Sequence, residues 1–310
     1  MDRRPLFSVV MATYSRAHLL ARAIGSVLNQ SYQDFELIIV DDGSTDSTEE
    51  VCRSYKDSRI MYHRLSQNEG ALAARNKGID LAKGDYLTFM DDDDELLPEA
   101  LETAVHTLGA VSSEGIRFVW FDGIYVDSNL RSGFGVDKKG LVNYEDVLCE
   151  KVGGNFWLVM RRDLLEEDDR FDERLWGDEV ILWLKLLHKS KAMYVPKTLY
   201  KYHVERGVRA FSSGNRLKNL PRTALTHKVF LERYGAEAKR ACPKIYGRRL
   251  GVYGASEILI GEKREGRRAC LESFKYHKSL DTFMVFLLSF FIPSKWIKSL
   301  VYCYMGVRSK

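Results

Sequence analysis

Long apolar runs are missing from this 310-residue chain. Its most apolar stretch, Phe283–Ile292, is about half of the roughly 20 residues a helix needs to span a bilayer. No CxxC pair occurs, and the five cysteines (Cys52, Cys149, Cys242, Cys270, Cys303) are scattered and odd in number. That pattern argues against a zinc site or a disulfide framework and favours a reducing compartment. Low-complexity tracts and repeats of solenoid length are also lacking, which sets aside disordered and repeat-array classes. Met1 to Leu6 runs straight into a strand-like segment, so no signal peptide is expected before the fold.

What is present is ordinary for a folded protein: 45% hydrophobic and 29% charged residues. The net charge of +4 is unevenly spread. Arg216 to Lys310 holds 20 Lys plus Arg against 7 Asp plus Glu, a balance of +13 that leaves −9 on residues 1–215. A basic C-terminal third on an acidic body suits an anionic surface, lipid headgroups or nucleic acid in principle. The reading adopted below is a membrane surface and no nucleic acid.

Phe7–Ala12, Glu36–Val40, Ile60–Arg64 and Tyr86–Met90 read as short buried strands. Between them, residues 17–30 and Ala71–Ala82 carry helical spacing, Asp46 or Ser47 suits a helix cap, and Pro98 suits a first helical turn. This alternation predicts an α/β fold, a mostly parallel sheet sandwiched by helices, with ligands beyond the carboxyl ends of its strands. Past residue 116 the rhythm weakens. Arg117–Val126, Asn155–Arg161 and Lys191–Tyr202 look like strands, and Val180–His188 and Arg216–Tyr234 like helices. A boundary is expected near 215, giving an α/β domain at 1–215, with its clear strand–helix rhythm at 1–115 and a looser part at 116–215, and a helical region at 216–310.

Asp91-Asp92-Asp93-Asp94-Glu95 directly follows the fourth strand. So many adjacent carboxylates are costly unless a cation neutralises them. Hard oxygen donors suit Mg²⁺ or Mn²⁺ bridging a diphosphate. In such a DxD pattern Asp91 and Asp93 point the same way, one toward ribose and the other toward metal. The glycine and twelfth-position glutamate of an EF-hand are absent.

FSVVMATYSR (7–16), ELIIVDDGSTDST (36–48), NEGALAARNKGI (68–79) and GDYLTFMDDDDELLP (84–98) resemble, in order and spacing, the successive motifs of the family 2 glycosyltransferases. The resemblance implies a GT-A fold and a metal-dependent, inverting transfer of one sugar from a nucleoside-diphosphate sugar, UDP- or GDP-linked. It also implies roles, with 1–215 as the catalytic domain, the nucleotide sugar bound by 1–115 and the acceptor by 116–215. Ala12, Thr13 and Tyr14 would line the nucleotide pocket, Asp42 would accept a hydrogen bond from the base, and Arg75 would sit near the diphosphate or ribose. Asp91 and Asp92 would contact ribose or donor sugar, with Asp93 on the metal and Asp91 and His203 close to it.

The family's base comes from a Glu-Asp pair ahead of a helix. Here FDERLWGDEVILWLKLL (171–187) carries it reversed, as Asp178-Glu179. Alignment on Leu182-Trp183-Leu184 makes Glu179 the expected base and Asp178 the second choice. Asn155 and Trp157, beside Gly153-Gly154, are expected on the acceptor side, where an aromatic suits sugar stacking. Beyond Pro293, the residues Trp296, Ile297, Leu300, Val301, Tyr304 and Met305 share a helical face flanked by Lys295, Lys298 and Arg308. This pattern reads as a peripheral or monotopic attachment on the cytoplasmic side of a membrane, favouring a saccharide or lipid-linked acceptor. A C-terminal helix pair packed on the catalytic body is the other reading of the same residues. The competing functions are a sugar nucleotidyltransferase, whose glycine-rich N-terminal loop is missing, and a non-catalytic saccharide- or lipid-binding relative.

Overall fold

In the computed structural model, residues 6–175, 179–203 and 219–304 are described. They divide into two compact units, one formed by Met1–Val147 and Lys151–Val204, the other by Leu148–Glu150 and Glu205–Lys310.

The first unit is built on strands β1 (Phe7–Thr13), β2 (Phe35–Asp41), β3 (Ile60–Arg64), β4 (Tyr86–Asp91), β5 (Glu95–Leu96), β6 (Phe118–Tyr125), β7 (Gly133–Phe134), β8 (Gly140–Val142), β9 (Gly153–Gly154), β10 (Phe156–Arg161) and β11 (Ala192–Tyr202). Its helices are α1 (Ala17–Leu28), α2 (Thr48–Ser54), α3 (Ala71–Leu81), α4 (Ala100–Val111), α5 (Tyr144–Leu148) and α6 (Val180–Lys189). The main sheet runs β3-β2-β1-β4-β10-β6-β11-β5, with β8 beside β11, and β7 and β9 form a separate ribbon. Pairs β3/β2, β2/β1 and β1/β4 are parallel, whereas β10 lies antiparallel between β4 and β6. The expected mostly parallel α/β sheet is therefore the fold, with β10 as the reversed insertion.

Burial explains the arrangement. Every residue of β2 is buried, as expected of a strand covered on both faces. Helix α1 turns Leu20, Ala23, Ile24 and Val27 inward, where they join Phe7, Val9, Met11, Leu37 and Ile39 in one core with Phe121 and Trp157. Helix α3 approaches β1 so closely that a Cβ on Gly78 would lie 2.2 Å from a Val10 methyl. Glycine is required there by proximity.

The second unit is helical: α7 (Leu220–Ala241), α8 (Pro243–Ile260), α9 (Lys263–Ser273), α10 (Leu280–Leu288) and α11 (Ser294–Tyr304). Within α8, Gly251 and Gly254 form a packing surface. A Cβ on Gly254 would meet the Gly266 carbonyl of α9 at 2.7 Å, and one on Gly266 would meet the Gly254 carbonyl at 2.5 Å. Cys149 and Cys242 are paired, Cα to Cα 5.4 Å. That departs from the expectation of unpaired thiols. The two lie 93 residues apart, so no spacing in the sequence announced them. Among the described residues no helix is long and apolar enough to cross a membrane.

The expected apolar face of α11 is split. Ile297 is fully buried and packs with Val301 against Leu220, Ile258 and Val285, whereas Trp296 and Leu300 are exposed. Met305 and Arg308 lie outside the described residues.

Candidate active site

Parallel register brings three strand ends together. Thr13 pairs with Asp41 across β1/β2, and Ala12 with Asp91 across β1/β4. Beyond β1 the chain turns through Ser15, at φ 49°, into α1. The Ser15 amide donates to Ser44 Oγ at 2.8 Å, tying this turn to the one after β2. Tyr14 is left 45% exposed at the rim.

The acidic run folds back on itself at the tip of β4. Thr13 Oγ1 donates to Asp92 at 2.7 Å, and Arg16 donates to Asp92 at 2.7 Å and also to Asp93. Arg22 donates to the Asp93 carbonyl. The Asp94 carboxylate accepts from the His203 amide at 2.8 Å, and the His203 ring meets Glu95 at 2.6 Å. Burial pushes the Asp92 carboxyl up to about 7, against the opposing pull of Arg16 and the Thr13 hydroxyl. Asp93 and Asp94 are raised too, first by burial and then by Asp91. Each is thus held in a place that disfavours its own charge, the condition under which a cation binds well.

Asp91, Asp93 and Asp94 each offer a carboxylate oxygen, and these atoms lie within 4.8 Å of one another. Three hard oxygen donors, one of them on the half-exposed Asp91, fit Mg²⁺ or Mn²⁺ completed by water or phosphate. A cation held here would share Asp93 with Arg16 or displace that guanidinium. His203 faces Glu95, and Asp94 takes the place in the trio that the sequence reading gave to His203.

The sign of a pH effect follows. A carboxyl raised in the folded state contributes stability below its unfolded value, about 4, and loses it as pH rises through its folded value. For Asp92 the loss is spread over about 4 to 7. Since a cation held by Asp91, Asp93 and Asp94 would displace the protons that burial favours on Asp93 and Asp94, the gain in melting temperature from Mn²⁺ is expected to grow by several degrees between pH 5 and pH 8. Paired thermal melts with Mn²⁺ and with chelator measure it; a gain independent of pH would contradict it.

Glu179 opens α6, and its side chain caps no amide there. It pairs instead with Arg75 Nη1, while Arg75 Nη2 pairs with Asp91. Burial alone would weaken the guanidinium charge, but Asp91 and Glu179 outweigh it and hold Arg75 above its ordinary pKa. One arginine on α3 thus spans the expected base and the acidic tip, 104 and 16 residues away. Asp178 lies outside the described residues.

Other expectations fared differently. Asp42 is 2% exposed, and its two oxygens accept from the Glu69 and Gly70 amides at 2.7 and 2.8 Å. It therefore holds the turn before α3, and a nucleotide base would have to compete with those amides. Trp157 is a correction: at 1% exposure it stacks on Phe121 inside the core, because strand alternation turns it inward, so no sugar reaches it. Asn155 is exposed and donates to the Tyr125 hydroxyl at 3.1 Å. The sequence reading gave no roles to Arg16, Arg22, Tyr200 and Tyr202. Tyr200 OH accepts from the Asp91 amide at 3.1 Å. Burial, then Asp94 and Asp91, hold both phenols far above their ordinary pKa. A period-two pattern in LYKY was the available signal for the pair.

Comparison with known proteins agrees with this fold. The sequence profile described as Glycosyl transferase family 2 matches residues 8–130. The chain is 38% identical over 210 residues to the GalNAc(5)-diNAcBac-PP-undecaprenol β-1,3-glucosyltransferase of Campylobacter jejuni, covering 65% of this chain and 66% of that one, just under two thirds of its length. It is 31% identical over 197 residues to the putative teichuronic acid biosynthesis glycosyltransferase TuaG of Bacillus subtilis, covering 62% of this chain and 75% of that one. Among solved structures, S. aureus TarS 1–349 in complex with UDP-GlcNAc superposes with a TM-score of 0.65 at 17% identity, covering 98% of this chain and 93% of that one. At that identity the likeness speaks for the fold.

Proposed function

Because the chain belongs to family 2 of the glycosyltransferases, we propose that it moves one sugar, with inversion, from a nucleoside-diphosphate sugar to a hydroxyl of a saccharide or lipid-linked saccharide. The observation that supports this reading is the Asp91–Arg75–Glu179 bridge, which joins the Glu179 carboxylate to the acidic strand tip. Asp91, Asp93 and Asp94 would hold a divalent cation, whose charge offsets that growing on the departing diphosphate. Glu179 takes the proton of the attacking hydroxyl, and Arg75 sets the direction in which its carboxylate faces. Tyr14 offers an open ring to the base, with Ala12 and Thr13 at the strand end below it. Thr13 acts through Asp92, and Asp42 through the Glu69–Gly70 turn.

A membrane-proximal acceptor accords with the second unit taken by itself. Leu280, Phe283, Met284, Leu287, Phe290, Phe291, Trp296 and Leu300 are exposed on or beside α10 and α11, with Lys295 and Lys298 on the same short helix. Apolar side chains dipping into an interface with cations at headgroup level describe a peripheral, in-plane attachment on the cytoplasmic side. The undecaprenol-linked acceptor in the Campylobacter relative's name is of the same kind. Replacing Phe291 and Trp296 together with aspartate is expected to abolish flotation with vesicles containing anionic phosphatidylglycerol; unchanged flotation would remove the attachment.

Incubation with labelled UDP- and GDP-sugars and Mn²⁺ separates the functions. Transfer releases nucleoside diphosphate, the expected result. Pyrophosphate chemistry would mean a nucleotidyltransferase, and nucleotide binding without turnover a non-catalytic relative.

A further inference from the structure

Burial of Trp157 leaves the first unit without the aromatic expected to face an acceptor, yet an exposed one stands nearby. The β7/β9 ribbon pairs Phe134 with Gly153 and Gly133 with Gly154, so Phe134 is the one large side chain among its four residues. A Cβ on Gly153 would lie 2.9 Å from the Phe134 ring, which therefore rests over the bare glycine. With its inner side so supported, Phe134 remains 55% exposed. Gly133 and Gly154 keep the ribbon flat: a Cβ would strike the Phe156 ring at 2.1 Å from the first, and the Ser132 carbonyl at 2.4 Å from the second, where φ is 98°.

The ribbon connects to the acidic tip. Asn155 continues β9, its amide bonded to the Ser132 carbonyl at 2.9 Å and its side chain to the Tyr125 hydroxyl at 3.1 Å. The Tyr125 ring lies 5.6 Å from that of Tyr202, and Tyr202 4.6 Å from Tyr200, whose hydroxyl meets the Asp91 amide. A ladder of three phenols thus runs from the donor side to the ribbon, longer than a single pyranose ring.

We propose that Phe134 and Asn155, with Tyr125 behind them, form a shelf for the second sugar of a saccharide acceptor, the one next to the residue that receives the transferred sugar. A flat apolar ring beside an amide and a phenol, none formally charged, matches a neutral polyol with one apolar face. This inference rests on the glycosyltransferase reading, and binding energy gathered at a remote sugar would serve to orient the attacking hydroxyl.

A fluorescent array of reducing-end-tagged mono- and oligosaccharides, followed by titration of the best disaccharide and its terminal monosaccharide, tests the shelf. Phe134→Ala is expected to weaken the disaccharide between about threefold and tenfold. The monosaccharide, Mn²⁺-dependent nucleotide binding and acceptor-free release of nucleoside diphosphate should be unchanged, and Phe134→Trp should retain affinity. Gly153→Ala, which tilts the ring, and Asn155→Ala should each reproduce part of the loss. Unchanged disaccharide affinity in Phe134→Ala, or equal loss for both sugars, would overturn the shelf. So would a wild-type protein that binds nucleotide with Mn²⁺ but no disaccharide. Absence of nucleotide binding in the wild type would overturn the donor reading, and the shelf with it.

Discussion

Glu179→Gln is expected to lower kcat by about two to four powers of ten, the usual contribution of a general base, while leaving the donor KM within a few-fold. The argument rests on where the side chain goes. Glu179 starts a helix, and a bland explanation would have it cap that helix, but its carboxylate reaches across to Arg75 instead. Arg75 holds Asp91 with its other nitrogen, so the Glu179 and Asp91 carboxylates are fixed relative to one another by a single planar group. Glutamine keeps the size and one acceptor oxygen, so the bridge is weakened rather than removed, and the lost proton acceptor dominates. Steady-state kinetics with saturating Mn²⁺ decide it. A variant within tenfold of wild type would mean that the base lies elsewhere, with Asp178→Asn the next substitution to measure.

Asp93→Ala is expected to abolish the stabilisation that a nucleoside diphosphate gives in the presence of Mn²⁺. A ligand at a hundred times its Kd adds about 2.7 kcal/mol to stability, or several degrees in melting temperature. In the variant that gain should vanish. Without metal the substitution should cost little, because burial and Asp91 already disfavour the Asp93 charge and Arg16 keeps its bond to Asp92. A variant that loses stability equally with and without metal would show Asp93 to be a structural partner of Arg16 only.

How much of this was legible in the sequence depends on the range of the interaction. Strands β1 to β4 could be read to within a residue or two, because a run such as Glu36–Val40 between polar turns has few other ways to bury itself. Their shared ends followed from the alternation of strand and helix. The antiparallel insertion of β10 did not, since apolar content identifies a strand and says nothing about its neighbour. Trp157 was misread for the same reason: at the start of an expected strand, next to the Gly153-Gly154 loop, it looked open to a sugar, but its pairing with Phe121 across β10/β6 places it in the core. Within the acidic run, the sequence supplied four equivalent aspartates. The turn beyond β4 sorts them, sending Asp92 to Thr13 and Arg16 and Asp94 to the His203 amide. Arg16 stood in a quoted motif without a role, because its partners are 76 and 77 residues distant. Phe134 gave no signal at all until the glycines opposite it were seen to be its support.

Anomalous scattering from crystals grown with Mn²⁺ and a nucleoside diphosphate is the most direct test of the account. The expected result is a single strong peak among Asp91, Asp93 and Asp94, with the diphosphate next to it. A nucleotide bound with the metal elsewhere, and no peak at the tip of β4, would contradict it.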